Sequence, residues 1–297
     1  MRKNTLAKKR MGVGGRVFEV FNYVFLTLVA FTTLYPFWYV LLKSILPFEE
    51  AIKSKFLIIP TGFTMDSYKY VLSTDRFTNS LFVSIGVTIL GTVYQVLITS
   101  LTAYAFTKKD LPGRNILFNI IIVTMFFGGG LIPTYLLYKS LGFIDNPLVM
   151  ILPHAISTYN MVVMKSFFTS IPYEIEESAR IDGASYFKIF FRIIMPLSLS
   201  SFATIALFVA VSLWNSWYGP MLYLNDKKFW PMALVLRDIL VKTDMNSMQG
   251  EYVSESMMLS ESVKMATVIV AIVPIIIVYP FVQKYFVKGV MVGAVKA

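Results

Sequence analysis

The segment EIEESARIDGASYFKIFFRIIMP, residues 174–196, decides how the rest of the chain is interpreted. It gathers four acidic and three basic side chains in a protein that is 56% hydrophobic. Gly183 divides the segment, because glycine adopts positive φ angles at little cost. The pattern predicts a helix, a tight turn and a second helix that becomes apolar as it approaches Pro196.

Composition places the chain among membrane proteins. Of its 297 residues only 15% are charged, and the mean hydropathy is +0.66. These values lie outside the range of soluble domains. The chain has no cysteine and one histidine, which removes disulfides, thiolate metal sites and most histidine chemistry. We therefore predict no catalytic residue and no metal site.

Long windows without charged residues predict the spanning helices. A helix that crosses a bilayer needs roughly 20 apolar residues. Six windows meet this requirement, at 20–42, 77–107, 115–138, 146–164, 193–225 and 265–283. The expected fold is an all-α polytopic membrane protein with six transmembrane helices. A basic cytoplasmic tail, residues 1–19, precedes a single transmembrane domain, residues 20–297.

The distribution of charge predicts the orientation. Six basic residues precede the first window, which holds the N-terminus in the cytoplasm. The predicted cytoplasmic segments carry 16 Lys and Arg against 6 Asp and Glu, and are 1–19, 108–114, 165–192 and 284–297. The predicted outer segments carry 11 against 11, and are 43–76, 139–145 and 226–264. Both termini are therefore expected in the cytoplasm.

Several classes of function are disfavoured. The chain lacks G-x-x-x-x-G-K-[ST] and any Gly-Lys dipeptide, so it has no phosphate-binding loop and is not expected to bind a cofactor or hydrolyse ATP. No charged residue lies inside the six windows, which argues against an ion-coupled pump. No HExxH or GxSxG motif supports an intramembrane hydrolase. The glycine run 128–130 predicts close helix packing or a kink.

The local pattern of the hairpin predicts how it is built. Ser170 is a candidate N-cap, Glu176 and Arg180 form an i,i+4 pair, and Asp182 is expected to cap the turn that follows. The helix over 173–182 carries four acidic residues and one basic one. An acidic helix is misplaced against anionic lipid headgroups. A protein partner is therefore favoured over a lipid surface.

At this point the residues resemble a known family. The order Glu177-Ser178-Ala179, three residues, Gly183, nine residues, Ile193, one residue, Met195-Pro196 is similar to the EAA loop of ABC-importer permease subunits. Ser178 and Met195 depart from the usual Ala and Leu, and both changes nearly conserve volume. The resemblance implies that the hairpin docks on a cytoplasmic ATPase. The implied coupling residues are Glu174, Glu177, Ser178, Ala179, Asp182, Gly183, Ile193 and Pro196.

The resemblance covers nearly the whole chain. WNSWYGPMLYL at 214–224, the segment 263–290 and the closing GAVK at 293–296 are similar to the carbohydrate, MalG-like branch of these permeases. That branch implies a MetI-like core with one extra N-terminal helix in a bacterial cell membrane. The implied partners are a second permease subunit in a heterodimer, two ATPase subunits that bind ATP and Mg, an extracytoplasmic binding protein and membrane lipid, with no nucleic acid.

Polar and aromatic residues at depth are candidates for the substrate path. Sugars stack on aromatic rings and hydrogen-bond to amides. The candidates are Tyr94, Gln95, His154, Asn160, Trp214, Asn215, Trp217 and Tyr218, although the tryptophans equally suit an interfacial aromatic belt. The outer segment 226–264 is either a contact for the binding protein or a solvated loop. A peptide or lipid-derived solute, a channel and a non-transporting scaffold remain as alternatives.

Overall fold

The computed structural model describes residues 13–47, 50–51, 57–249 and 261–294. Every regular element within these ranges is a helix. Two features of the sequence lie outside the described residues: the basic cluster of residues 2–10, and Glu251 and Glu255 of the outer segment.

The helices follow one another with short connections. The α-helices are α1 (Val13–Ser44), α2 (Asp66–Ser73), α3 (Asp75–Ala105), α4 (Arg114–Val123), α5 (Leu131–Ser140), α6 (Thr158–Thr169), α7 (Tyr173–Ile181), α8 (Tyr186–Leu197), α9 (Leu199–Trp214), α10 (Tyr218–Tyr223), α11 (Met232–Gln249) and α12 (Glu261–Ala294). Helix α8 contains a π-helical turn, Phe190–Ile194. Short 3₁₀ turns lie at Pro147–Met150, Leu152–His154 and Lys227–Phe229.

Three of the described helices are long and apolar enough to cross a membrane: Gly14–Ser44, Asp75–Ala105 and Glu261–Pro280. They coincide with the first, second and sixth windows. Two bent pairs bring the number to five if each pair is one span. The first pair, Pro147–His154 with Thr158–Thr169, bends by 43°, and the second, Tyr186–Leu197 with Leu199–Trp214, bends by 85°. They correspond to the fourth and fifth windows.

The third window differs from the expected single helix. It contains α4 and α5, each of 10 residues, separated by residues 124–130. Gly130 has a φ of +83° at the start of α5, a conformation that an L side chain rarely adopts. A Cβ at Gly128 or Gly129 would meet nothing within 4 Å among the described residues, so the glycine run interrupts the helix and packs closely against none of them. The count of six spans stays a prediction.

The chain divides into two compact units, residues 1–68 with 259–269, and residues 69–258 with 270–297. In the first unit the end of α1 is held on the start of α12. The Lys43 ammonium lies 2.7 Å from the Glu261 carboxylate, and the Ser262 hydroxyl donates to the Leu46 carbonyl at 3.0 Å. The large apolar side chains of α1 before this point are mostly exposed, as suits a helix that contacts lipid or another subunit.

The core of the second unit is formed by α3, α6, α8 and α9. The buried side chains of the cluster are Ala103, Tyr104, Phe106, Met161, Met164, Phe168, Ile189, Phe190, Ile194, Phe202, Ile205, Val209 and Leu213. Gly91 permits a close approach of α3 to α9, because a Cβ there would lie 2.7 Å from the Leu213 Cδ1 atom. This packing brings the hairpin against the C-terminal end of α3.

Candidate coupling site

The hairpin turn is closed by backbone hydrogen bonds around Gly183. The Gly183 N–H donates to the Arg180 carbonyl and the Ala184 N–H donates to the Ala179 carbonyl, both at 3.0 Å. These two bonds, with a Gly183 φ of +79°, form a Schellman motif that ends α7. The turn that Gly183 predicted is therefore present.

Two details of the predicted capping are wrong. Helix α7 begins after Pro172, and the Ser170 hydroxyl donates instead to the Phe167 carbonyl at the end of α6. The next helix is capped by the Ser185 hydroxyl, which accepts from the Lys188 N–H. Asp182 is the last residue of the α7 turn. Ser185 lies immediately before the helix, where its short side chain reaches the free N–H, whereas Asp182 lies three residues too early.

The inner face of α7 is fixed by a buried ion pair. Glu176 is 8% exposed, and both of its carboxylate oxygens bind the Lys108 ammonium. The Tyr104 hydroxyl donates to Glu176 Oε1 at 3.2 Å, and the Lys108 Nζ lies 3.7 Å from the centre of the Tyr104 ring. We call Tyr104, Lys108 and Glu176 the anchor cluster. It ties α7 to the end of α3.

The electrostatics of the anchor cluster follow from its burial. Desolvation lowers the pKa of the Lys108 ammonium below its ordinary value, while the hydrogen bond and the charge of Glu176 act in the opposite direction.

The expected Glu176–Arg180 pair is wrong, because Glu176 turns inwards to Lys108. Arg180 instead lies over Tyr186, with its Cζ atom 5.0 Å from the ring centre.

A second contact ties α8 to the same segment. The Tyr186 hydroxyl donates to Asp110 Oδ2 at 2.8 Å. This hydrogen bond holds the pKa of the exposed Asp110 carboxyl below its usual value, and raises the pKa of the Tyr186 hydroxyl. Both helices of the hairpin are therefore joined to the residues that directly follow α3.

The outer face of the hairpin is open. Of the coupling residues named from the sequence, the exposed ones are Glu174, Glu177, Ser178, Asp182, Gly183 and Pro196. Ala179 and Ile193 are half-buried and pack against the core of the second unit. Two apolar side chains of the hairpin that the sequence did not single out are also exposed: Ile181 is 82% exposed, and Phe187, which lines a cavity with the end of α3, is 67% exposed. Such side chains at a turn suit a protein contact.

The candidates for the substrate path lie in different surroundings. Trp214 is buried, and its indole N–H donates to the Ala271 carbonyl at 3.1 Å. It lines an apolar cavity of 290 Å³ between α3, α9 and α12 that none of the other candidates lines. The Asn215 amide donates to the Val211 carbonyl, and Asn160 is buried.

The remaining candidates fall into two groups. Tyr94 and Gln95 are half-buried on α3, and His154 is exposed. Trp217 and Tyr218 are exposed and lie side by side, with ring centres 5.6 Å apart and ring planes at 85°. They belong to the end of the second unit that is opposite the hairpin.

Comparison with known proteins identifies the family. The model of the binding-protein-dependent transport system inner membrane component matches residues 5–292. The chain belongs to this family. It is a permease subunit of an ABC importer, a non-enzymatic component of the inner membrane that works with an ATPase on a separate subunit. The resemblance drawn from the EAA-like spacing and the predicted all-α fold are confirmed.

Individual relatives align over almost their full length. Protein LplC of Bacillus subtilis is 43% identical over 95% of this chain and 96% of the relative. The polygalacturonan/rhamnogalacturonan transport system permease protein YtcP of the same organism is 44% identical over 95% of this chain and 99% of the relative. A solved bacterial ABC transporter that imports the acidic polysaccharide alginate superposes with a TM-score of 0.84, at 31% identity, over 93% of this chain and 99% of the neighbour.

The sequence did not predict the anchor cluster of this permease. Lys108 is the first charged residue after the second window. That position is the sole signal, since its partner Glu176 lies 68 residues further along the chain. No group of His, Asp or Glu side chains suited to a metal ion is found in the described part of the chain.

Proposed function

We propose that this permease subunit carries a sugar or oligosaccharide, delivered by an extracytoplasmic binding protein, and couples to its ATPase through the hairpin. The sugar is supported by the relatives, which include arabinooligosaccharide permeases AraQ and the trehalose permease SugB besides YtcP. The functional complex contains a second permease subunit, which makes a heterodimer, and two ATPase subunits that bind ATP and Mg.

One observation carries the coupling proposal: the hairpin is tied to α3 on its inner face and open on its outer face. The anchor cluster and the Tyr186–Asp110 hydrogen bond make the hairpin and the end of α3 move together. The outer face offers Glu174, Glu177 and Ile181 to the ATPase. A displacement of the ATPase subunits is thereby passed to a spanning helix.

The charges near the hairpin support its location in the cytoplasm. Lys108 and Arg114 follow α3 and lie in one of the segments that together carry an excess of Lys and Arg. Loops with such an excess face the cytoplasm. Both chain termini then lie in the cytoplasm, and Trp217 and Tyr218 lie at the outer end.

The absence of cysteine makes the docking testable. Ser178→Cys introduces a single thiol on the exposed face of α7, and Ser73→Cys introduces one at the opposite end of the second unit. With a short thiol-to-amine crosslinker on the assembled complex, Ser178→Cys is expected to give a permease–ATPase product and Ser73→Cys none. Equal products from both variants would contradict the proposed docking face.

Transport is tested with charge-matched variants. Glu177→Lys, on the docking face, is expected to abolish ATP-dependent uptake of the sugar in reconstituted vesicles and to free ATP hydrolysis from its dependence on the binding protein. Asp75→Lys, an exposed residue in the first turn of α3, is the control and is expected to retain uptake. A complex that takes up peptides or lipid-derived solutes but no glycan would refute the sugar, and one that binds ATPase without any uptake would identify a scaffold.

A further inference from the structure

An arginine at the end of the second unit opposite the hairpin is stacked on an exposed tryptophan. The Arg237 Cζ atom on α11 lies 4.3 Å from the centre of the Trp217 ring. The Arg237 Nη1 group lies 3.0 Å from the Met221 sulfur. Trp217 is 37% exposed and Tyr218 is 50% exposed. A guanidinium that lies over an aromatic ring can still donate hydrogen bonds from its N–H groups to a planar anion.

The acidic side chains of the same segment, 224–241, have other partners. Asp238, the next residue on α11, accepts from Arg76 Nη2 at 2.6 Å. Asp226 lies 2.8 Å from the Lys228 ammonium, and this pair lowers the pKa of the Asp226 carboxyl and raises the pKa of Lys228. Among the residues whose side chains the structure describes, Arg237 has no carboxylate within ion-pair distance.

Arg237 therefore retains most of its hydrogen-bonding capacity. A guanidinium has five N–H donors, and within the part of the chain that the structure describes Arg237 makes one polar contact, to a thioether, which is a weak acceptor. The guanidinium lies over the Trp217 ring, while the Tyr218 ring stands edge-on to Trp217 and is half exposed. The group thus combines a planar cation that no described carboxylate neutralises with an open aromatic surface.

We propose that Arg237, Trp217 and Tyr218 form a subsite for a carboxylate-bearing sugar, a uronate residue of an oligosaccharide. The C–H face of the pyranose ring stacks on Tyr218 or the edge of Trp217, and the sugar carboxylate accepts two parallel hydrogen bonds from Arg237. A uronate carboxyl is ionised at neutral pH, so the subsite favours it over a neutral sugar of the same size. This inference rests on the proposed sugar import and specifies its substrate.

A phospholipid headgroup is the competing anion for an arginine beside interfacial aromatic residues. The edge-to-face arrangement of Trp217 and Tyr218 favours the sugar, because it presents two rings at nearly right angles to a ligand with both a carboxylate and an apolar face. Lipid binding is an outcome of the experiment below.

The test uses the complete complex with its binding protein and ATPase, reconstituted in vesicles with and without phosphatidylglycerol. The probes are trigalacturonate and its fully methyl-esterified, neutral form. Each variant is compared with the wild type using one preparation of binding protein. The preference of the binding protein for one probe over the other is then the same in both measurements and cancels in the ratio of KM values. Arg237→Gln is expected to raise the KM for trigalacturonate about tenfold or more, because it removes charge-assisted hydrogen bonds. It leaves the KM for the ester unchanged.

Two further variants make the result specific. Arg237→Lys keeps the charge without the bidentate geometry and is expected to give an intermediate KM for trigalacturonate. Lys228→Gln removes a positive charge from the same segment and is expected to leave both KM values unchanged. Co-purification with the ATPase confirms that each variant assembles.

Several results overturn the inference. Equal changes of KM for both probes with Arg237→Gln, or no change, exclude carboxylate recognition. A loss of uptake that follows the phosphatidylglycerol content, whichever probe is used, assigns Arg237 to lipid headgroups. A wild type that imports neutral glycans but not trigalacturonate refutes the uronate and leaves sugar import standing. A wild type that imports no glycan refutes both proposals.

Discussion

Lys108→Met removes the cation from the anchor cluster and leaves the Glu176 carboxylate buried with one hydrogen bond, from Tyr104. Removing one partner of a buried ion pair costs about 3–5 kcal/mol. The two side chains are 14% and 10% exposed, so water compensates part of the loss, and we expect about 2–4 kcal/mol for the free energy of opening α7 from α3. This corresponds to a rise of roughly 30- to 900-fold in the opening equilibrium.

The opening is measured by amide hydrogen exchange of Tyr173–Ile181 in the purified complex. Lys109→Met is the matched control, because Lys109 is adjacent and exposed and its loss is expected to leave exchange unchanged. The double variant Lys108→Met/Glu176→Met removes both charges and is expected to recover most of the protection, since an apolar pair replaces a buried ion pair at little cost. Exchange with Lys108→Met that stays within about threefold of the control would refute the anchor, since 2 kcal/mol predicts a rise of about 30-fold.

Three further predictions concern the hairpin and the core. Gly183→Ala is expected to destabilise the hairpin by about 1 kcal/mol, because its φ of +79° is unfavourable for alanine, and Gly183→Asn by less; hydrogen exchange of α7 distinguishes them. Gly91→Val is expected to lower the stability of the second unit by about 1–3 kcal/mol, because the new side chain meets Leu213, and a melting temperature equal to that of the wild type would contradict the close approach. The hydrogen bond from Tyr186 lowers the pKa of Asp110 in the folded state. This bond therefore stabilises the fold at neutral pH, and its contribution is lost as the pH falls below 3.8, the ordinary pKa of the carboxyl. The difference in melting temperature between the wild type and Tyr186→Phe should accordingly shrink in that range, and a difference that is constant with pH would exclude the charged bond.

Two consecutive glutamates of α7, Glu176 and Glu177, lie in different surroundings. Glu176 points inwards and binds Lys108, whereas Glu177 is exposed. Residues adjacent in a helix are about 100° apart around its axis, so one turn of α7 both holds the hairpin to α3 and, in the proposed docking, offers a charge to the ATPase. Glu176→Gln and Glu177→Gln are therefore expected to differ, the first in exchange of α7 and the second in ATPase docking.

The sequence by itself determined the features that depend only on residues close together along the chain. The apolar windows at 20–42, 77–107 and 265–283 predicted long helices, because hydropathy summed over a span needs no knowledge of the partner. Gly183 predicted the turn, because positive φ is a property of the residue itself. The EAA-like spacing from Glu177 to Pro196 predicted the family, because the order of these residues can be read along the chain without knowledge of the fold.

The tertiary structure alone decided which side chains meet across the chain. The Lys108–Glu176 pair joins residues 68 positions apart, and the Arg237–Trp217 stack joins α11 to the residue before α10. Trp214 and Trp217 look equivalent in sequence, yet the first donates its N–H to Ala271 in the core and the second is exposed under Arg237. Local patterns fix whether a helix forms and which stripe is apolar, but the rotation of each helix against its neighbours depends on packing between distant segments. That rotation placed Lys108 against Glu176 and Trp217 beneath Arg237.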